Sequence, residues 1–378
     1  MDKKVYYLDN AATTFVAPSV IKVISAALEN SAYNPSSVYK PAVDVRAKIN
    51  LAKKQMLNML GTDRFNIIFT GSATEANNTA LLKIKNRKNF VALIGGTEHP
   101  AVFEMAEKLR KMGAEIFYIP VDQFGFIDED EYIKLLNEKP VKFVSIMHVN
   151  NENGAINDIE HLCELAKEKD ENIVFHSDGV QAFGKINVDL ETLNVDMYTI
   201  SAHKINGPKG IGALVYKKDV LVEPFIVGGG QEEGLRSGTE NVPYILGFAE
   251  AAKLRVENLD KNLIFVQKQK EKFITLLKNK GVDFELYSND NCSPYILQIR
   301  FPKVRGEVLL HALEKYNIYI STGSACSSKK KTNRVLEAMG KTYAEEQEVV
   351  RISFGLVDED LEFVTDMISK ETKSLRIR

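Results

Sequence analysis

The sequence lacks the features that would commit it to a membrane, to nucleic acid or to a disulfide framework. Its three cysteines, Cys163, Cys292 and Cys326, are odd in number and far apart, which excludes a disulfide framework and a zinc ribbon as working hypotheses. The formal net charge of −2 predicts no general attraction to nucleic acid or anionic membranes. No apolar run is long enough to span a bilayer, and the N-terminus does not have the pattern of a signal peptide. We therefore expect a cytoplasmic globular protein and predict no metal site.

The 378 residues are enough for two domains, and no internal repeat indicates a solenoid. From about Val45 to Lys217, apolar segments with a helical period alternate with short apolar strands. This alternation predicts an α/β fold with a mostly parallel, doubly wound sheet. After about Leu254 a long charged helix leads into shorter segments typical of a smaller α+β domain. We expect a large domain at 15–255 and a small domain formed by 1–14 and 256–378.

Lys204 lies in the segment SAHKINGPKGIG, directly after the predicted strand VDMYTIS. Ligands bind beyond the carboxyl ends of the strands in sheets of this kind. A lysine on such a glycine-rich turn could form a Schiff base with an aldehyde cofactor. The alternative is a solvated surface lysine, so the neighbouring motifs decide between the two.

Asp178 ends the predicted strand IVFHSD and begins the segment DGVQA. A carboxylate at that place could pair with a protonated pyridine nitrogen, although it could equally be the N-cap of a helix. Gln181, three residues further on, could reach the phenolic oxygen of the same ring. His99, in TEHPAV, also follows a strand and could stack on a pyridine ring and move protons, although a lone histidine is more often structural.

The segment FTGSATEANN predicts a strand, a glycine turn and the start of a helix at Ala73 and Thr74. Free N–H groups and the helix dipole make such a terminus favourable for a phosphate, and the Thr74 hydroxyl adds a donor. The alternative is an ordinary capped helix, with Ser72 or Thr74 as the cap. The lysine, the carboxylate, the histidine and this helix terminus all follow strand ends, so a parallel sheet would bring them together.

With these motifs in place, the sequence resembles the NifS/IscS-type cysteine desulfurases, which are class V aminotransferases with the pyridoxal-phosphate-dependent transferase fold. The resemblance covers nearly the whole chain and includes these motifs: YLDNAATT, NPSS, ATEANN, TEHPAV, HVNNE, DGVQAFGK, SAHKINGPKGIGAL, GGGQEEGLRSGTEN, STGSACSS and VRISFG. It implies a pyridoxal 5′-phosphate cofactor bound covalently by Lys204, L-cysteine as the substrate and a homodimer.

The resemblance also implies a role for each matching position. Asp178 would pair with the pyridine nitrogen, His99 would stack on the ring, and Gln181 and Asn151 would contact its oxygen side. Arg351 would bind the substrate carboxylate, with Asn34 and Asn151 beside the substrate. Thr239 would complete the phosphate site from the second subunit, and the remaining phosphate contacts would come from Ala73, Thr74, Ser201 and His203.

Cys326 indicates which reaction such an enzyme would catalyse. It lies in the small, polar segment STGSACSSKKKTN, which predicts an exposed loop whose lysines could favour the thiolate. The resemblance implies that Cys326 accepts the substrate sulfur as a persulfide and passes it on to an iron–sulfur scaffold or a tRNA-thiolation enzyme. Cys163, at helical spacing with apolar residues, is predicted to be buried, and Cys292 is predicted to lie in a loop.

Four positions depart from the family pattern: Tyr39, Ala42, Asn153 and Glu233. None removes a predicted catalytic residue, but they leave the sulfur acceptor open. Two alternatives to a desulfurase remain at this point. One is another class V reaction, such as that of a selenocysteine lyase or a transaminase, and the other is a non-catalytic partner in sulfur-transfer assemblies.

Overall fold

The fold is described from a computed structural model, which covers residues 4–30, 32–86, 88–323 and 332–376. Within those ranges the chain forms α-helices at Pro18–Asn30 (α1), Lys40–Met59 (α2), Ala73–Leu81 (α3), Pro100–Lys111 (α4), Glu129–Glu138 (α5), Ile159–Lys169 (α6), Leu190–Leu193 (α7), Val242–Glu257 (α8), Leu259–Asn279 (α9), Gly306–Glu314 (α10), Arg334–Ala338 (α11), Tyr343–Glu346 (α12) and Leu361–Leu375 (α13). No helix in these ranges is long and apolar enough to cross a membrane.

The strands of the described ranges form one large and two small sheets. They lie at Tyr6–Tyr7 (β1), Phe65–Thr70 (β2), Val91–Gly95 (β3), Glu115–Ile119 (β4), Val141–Ser145 (β5), Val174–Asp178 (β6), Met197–Ser201 (β7), Gly212–Lys217 (β8), Glu285–Leu286 (β9), Ile296–Arg300 (β10), Ile318–Tyr319 (β11) and Val349–Ser353 (β12).

The large sheet has seven strands in the order β2-β8-β7-β6-β5-β3-β4. All neighbours from β4 to β7 are parallel, and β8 alone is antiparallel to both of its neighbours, β7 and β2. The predicted doubly wound, mostly parallel α/β sheet is therefore confirmed.

Alternation of side chains explains why the strands of this sheet are continuous apolar runs. Ile67 and Phe69 pack into one core cluster and Ile68 into another on the opposite face, and the same alternation holds for Leu93 and Ile94. Helices cover both faces, so both sets of side chains are removed from water.

A separate apolar core surrounds the antiparallel sheet β12-β10-β9, built from strand residues such as Leu297 and Ile352 and helix residues such as Phe273 and Val364. The N-terminal residues Tyr6 and Leu8 belong to this core, because β1 pairs with β11. The boundaries proposed above for the two domains stay a prediction.

One strand is shorter than its sequence indicates. The apolar run from Lys142 to Val149 predicts a continuous strand, but the regular strand β5 ends at Ser145. Beyond it the Met147 N–H donates to the Glu98 carboxyl instead of to a neighbouring strand. The chain therefore separates from β3 at the edge where the candidate site lies, while the N–H groups of Ile146 and His148 still donate to carbonyls of β6.

Candidate active site

The candidate site lies at the carboxyl edge of the large sheet. The strands β2, β3, β5, β6 and β7 all run in one direction, so their carboxyl ends share this edge. The residues that follow them are those predicted from sequence: Ala73 and Thr74 after β2, His99 after β3, Asn151 after β5, Asp178 at the end of β6, and Ser201, His203 and Lys204 at and after β7.

Lys204 ends the short 3-10 helix Ala202–Lys204, which a bond from the Gly207 N–H to the Ala202 carbonyl closes into a tight turn. Its Nζ donates to the carbonyl oxygens of Ala11 and Ala12, each at 2.7 Å. The N-terminal segment is further joined to this turn by the N–H and hydroxyl of Thr14, which both donate to the His203 carbonyl. Lys204 is therefore held in the site and is not a freely solvated surface lysine.

Asp178 is 5% exposed and accepts one hydrogen bond on each carboxylate oxygen. Asn77 Nδ2 donates to Oδ2 at 2.7 Å and the Val180 N–H donates to Oδ1 at 3.0 Å. No helix begins directly after Asp178, so the alternative that it is a helix cap is excluded. Each oxygen retains capacity for a further donor, as a partner of a protonated ring nitrogen requires.

The start of α3 has the geometry of an anion site. Ser72 is the cap, accepting from the Glu75 N–H, and the next N–H groups at Ala73 and Thr74 have no acceptor within the helix. A Cβ on Gly212 would lie 2.6 Å from the Ala73 nitrogen, so only glycine permits this close approach. Because Gly212 pairs with Ser201, the same glycine brings Ser201 beside the helix terminus.

His99 is the N-cap of α4, and its Nδ1 accepts from the Ala101 N–H at 3.0 Å. The neutral ring therefore carries its proton on Nε2. Burial lowers the pKa of His99, Asp178 opposes this shift, and the positive charges of Lys204 and Arg334 add to it. His99 is thus neutral at pH 7, and Asp178 and Lys204 are its electrostatic neighbours.

The remaining predicted contacts connect the two cores. Gln181 is buried and donates from Nε2 to the Ala11 carbonyl at 2.9 Å. Arg351, on β12, donates to the Asn151 carbonyl at 2.9 Å and to Asp9 at 2.7 Å. Its Nε is buried and has no partner among the described residues, so a ligand oxygen could accept from it.

Three predicted residues are not joined to this cluster. Asn34 and Thr239 are both exposed, and no hydrogen bond among the described residues links either of them to Lys204 or Asp178. Cys326 lies outside the described residues. The roles of these three residues stay predictions.

Asn77 and Glu98 contribute to the site although sequence reasoning did not select them. Asn77 holds the Asp178 carboxylate, and Glu98 is fully buried beside His99 with one oxygen that has no partner among the described residues. Burial and the neighbouring Asp178 raise the pKa of Glu98 well above its usual range. Both residues lie in motifs that follow strand ends, Asn77 in ATEANN and Glu98 in TEHPAV, and this position in the sequence is the signal for their place at the site.

Arg334 is a third residue that the sequence did not reveal. Its guanidinium donates to the carbonyls of Gly96 and Glu98 and lies 4.2 Å from the centroid of the Phe103 ring. It therefore ties the start of α11 to the segment that carries His99. A long-range contact of this kind has no local sequence pattern.

Asn153, one of the four departures, has a structural role. It is fully buried, donates to the Phe124 carbonyl at 2.7 Å and accepts from the Ala155 N–H at 2.9 Å. These bonds order the turn that follows Asn151.

Two buried histidines beneath the site predict acid sensitivity. Burial lowers the pKa of His148 to about 4 and that of His176 to about 3. Both are neutral when folded but protonated in the unfolded chain below pH 6.5, so stability is present above that pH and lost as pH falls. For each of these two histidines, we expect the free energy of unfolding to fall by roughly 1 kcal/mol when the pH is lowered from 6 to 5.

Urea denaturation of the wild type and of His176→Gln at both pH values measures this loss. The variant should be the less acid-sensitive, whereas His311→Gln, which removes an exposed histidine, should behave as wild type. Equal acid sensitivity of all three proteins would show that the buried ring is not the cause.

Comparisons with known proteins agree with this geometry. The sequence model of the family "Aminotransferase class-V" matches residues 6–362. A cysteine desulfurase IscS of Dictyoglomus turgidum is 36% identical over 381 residues, which cover 99% of this chain and 96% of that protein. A solved NifS-like protein superposes with a TM-score of 0.89 at 34% identity, covering 98% of this chain and 99% of that one. A structure described as SspA in complex with cysteine has a TM-score of 0.81 at 30% identity, covering 93% of this chain and 99% of that one.

The chain belongs to the aminotransferase class-V family and is an enzyme with pyridoxal 5′-phosphate as its cofactor. The site's own residues fit this group. A primary amine at Lys204 suits the aldehyde, the buried Asp178 carboxylate suits the ring nitrogen, and the N–H groups at the start of α3 that have no acceptor within the helix suit the phosphate.

Proposed function

We propose that this chain is a cysteine desulfurase that converts L-cysteine to L-alanine and keeps the sulfur as a persulfide on Cys326. The observation that carries the proposal is the meeting of Lys204, Asp178 and His99 at one sheet edge, with Arg351 reaching that edge from β12. The match to relatives named cysteine desulfurase, and to a solved relative described as a complex with cysteine, supports the choice of substrate.

The residues that would hold the cofactor follow from this geometry. Lys204 would bind it covalently, Asp178 would keep its ring nitrogen protonated, and His99 would stack on the ring. Gln181 and Asn151 would contact its oxygen side. The phosphate would be held by Ala73, Thr74, Ser201 and His203. When bound, pyridoxal phosphate acts as an electron sink for the bonds around the substrate's α-carbon.

Proton movement falls to Lys204 and His99. The free amine of Lys204 would take a proton from the substrate's α-carbon and return it. His99 accepts on Nδ1 from the backbone, which leaves Nε2 as the atom that can donate toward the site. Burial keeps this ring neutral at pH 7, so its Nε2–H would act by hydrogen bonding to the group being protonated or deprotonated, because full release of that proton would leave an imidazolate.

The sulfur step requires a thiolate. Cys326 would attack the substrate sulfur, forming a sulfur–sulfur bond while the substrate's carbon–sulfur bond breaks and its electron pair passes to the carbon skeleton. The substrate carbon is reduced and gains a proton on the way to alanine. L-cysteine and one protein thiol thus give L-alanine and one protein persulfide, with no external oxidant.

The proposal is tested by supplying the purified protein, pyridoxal phosphate and a thiol reductant with L-cysteine. Alanine and sulfide should form in equal amounts. Pyruvate with ammonia, or mercaptopyruvate in place of alanine, would assign a different class V reaction. Turnover of selenocysteine alone would identify a selenocysteine lyase.

Arg351 would bind the substrate carboxylate, a planar anion that suits its fork of donors. We expect Arg351→Lys to raise KM for L-cysteine about 10- to 100-fold, the scale of a hydrogen bond to a charged group. Cofactor affinity should change far less, because Arg351 has no role at the phosphate or the ring nitrogen. Steady-state kinetics and a cofactor titration measure the two effects. A matched control is Arg300→Lys on β10, which changes a guanidinium paired with Glu348 outside the site.

We further propose that the active form is a homodimer in which Thr239 of a second copy completes the phosphate site. Thr239 is exposed, and Arg236 in the same segment is anchored to Glu75, which lies in the first turn of α3. Exposed apolar residues flank this segment, with Val227 at 78% and Phe225 at 41% exposed. Sedimentation should show a dimer, and Val227→Asp should weaken it. A fully active monomer would contradict the shared site.

The persulfide must finally leave on a thiol acceptor, since thiol–persulfide exchange needs an attacking thiolate. We propose a protein acceptor, either an iron–sulfur scaffold or a tRNA-thiolation enzyme. Loss of the persulfide mass from this chain on mixing with each purified candidate distinguishes between them.

A further inference from the structure

Lys185 is a buried amine to which the proposed reaction assigns no role. It follows Gly184, whose positive φ of 67° makes the turn that directs the lysine inward, and it is 3% exposed. Its Nζ donates to Gln181 Oε1 at 2.5 Å and lies 5.7 Å from the centroid of the Tyr295 ring. The charged groups that surround it are the cations Arg255, Lys204 and Arg351.

This environment is unfavourable for a lysine. Burial and the neighbouring cations hold the pKa of Lys185 well below its usual range. Desolvating an amine costs free energy that an apolar side chain of similar length would not incur. Packing alone would therefore favour methionine here, and the bond to Gln181 is the feature that only a polar donor supplies.

The orientation of the Gln181 amide is determined by its two partners. The Ala11 carbonyl can only accept, so the amide nitrogen of Gln181 must face it, at 2.9 Å. The amide oxygen then faces Lys185, which donates to it. The same Ala11 carbonyl accepts from Lys204 Nζ, so Lys185, Gln181, Ala11 and Lys204 form one hydrogen-bonded series.

We propose that Lys185 is a positioning residue that locks the Gln181 amide with its NH2 group toward Ala11 and the oxygen side of the cofactor ring. Without Lys185, only the Ala11 carbonyl would hold this orientation, and the amide would more often rotate and present its oxygen to the ring oxygen, which would repel it. The inference rests on the proposed contact of Gln181 with that ring oxygen.

The test compares Lys185→Met with Lys270→Met. Lys270, on α9, is also a buried lysine, 7% exposed, but its amine faces the Ser293 carbonyl and has no link to Gln181. Both variants lose one buried amine, so effects on folding alone should be similar, and thermal melting checks this. Lys185→Leu takes the place of Lys185→Met if the latter does not fold, with the same expectations.

Four quantities are measured on cofactor-loaded protein: the cofactor dissociation constant, the pH midpoint of the cofactor's absorbance change, the KM for L-cysteine and the kcat. For Lys185→Met we expect about five- to tenfold weaker cofactor binding, the scale of one net hydrogen bond. We expect the pH midpoint to rise by about half a pH unit. A hydrogen-bond donor at the ring oxygen stabilises the negative charge on that oxygen, and without the donor this charge holds the nearby proton more strongly. The kcat should fall about tenfold with little change in KM, and Lys270→Met should change each quantity less than about twofold.

A double-mutant cycle with Gln181→Leu shows whether Lys185 acts through Gln181. Adding Lys185→Met to Gln181→Leu should produce no further shift of the absorbance midpoint. An equal shift in both backgrounds, or Lys185→Met matching Lys270→Met throughout, would overturn the inference. If the wild type forms no alanine from L-cysteine, the proposed function fails, while the binding and absorbance measurements still decide the role of Lys185.

Discussion

Replacing Cys326 with alanine is expected to lower the formation of alanine from L-cysteine by about a thousandfold or more, the scale seen when an enzyme loses its nucleophile. The reason is chemical: in the proposed reaction the substrate's carbon–sulfur bond breaks only when a thiolate takes the sulfur. Binding of L-cysteine should persist, because Lys204, Asp178 and Arg351 are unchanged. A change in the cofactor's absorbance on adding L-cysteine measures this binding, and an alanine assay measures turnover.

The two other cysteines provide matched controls. Cys163 is fully buried on α6, and burial raises the pKa of its thiol to about 12. Cys292 is 5% exposed, and burial also raises its pKa. Neither forms a thiolate readily at pH 7, so Cys163→Ala and Cys292→Ala should keep near-normal turnover. Full activity of the Cys326→Ala variant would show that the reaction does not need a persulfide on Cys326.

Lys204→Ala is expected to abolish covalent attachment of the cofactor and to lower turnover by about a thousandfold, within the range for losing a catalytic proton carrier. Its amine is the one at the carboxyl end of β7 that the Ala11 and Ala12 carbonyls hold in place. After borohydride reduction of the loaded wild type, peptide mapping should find the cofactor on Lys204.

Lys209→Ala is the matched control for this change, since Lys209 lies in the same glycine-rich turn but is exposed. It should retain both the cofactor and activity. If the Lys204→Ala variant retained covalently bound cofactor, the cofactor would be attached to a different lysine. The proposed role of Lys204 would then be wrong.

The sequence was sufficient to predict the parts of the site that depend on local order. A strand followed by a turn or a helix start gives Thr74, His99, Asp178 and Lys204, and parallel strands necessarily bring such ends to one edge. The alternation of apolar runs also predicted the mostly parallel sheet covered on both faces, because each face of a covered sheet must be apolar.

Contacts between distant segments were not predictable in the same way. Lys185 donates to a residue four positions away, but its importance depends on Ala11, which approaches only because β1 joins the second core. Arg334 reaches the carbonyls of Gly96 and Glu98 across more than two hundred residues of sequence. These contacts depend on how the two cores pack against each other, and no periodicity in the sequence predicts them.

The most direct test of the account is a single-turnover reaction of the cofactor-loaded protein with L-cysteine in the absence of reductant, followed by mass spectrometry of its peptides. The account predicts one added sulfur on the peptide that contains Cys326, no added sulfur on those that contain Cys163 or Cys292, and one alanine per persulfide. Alanine without any added sulfur on Cys326, or added sulfur on another cysteine, would contradict it.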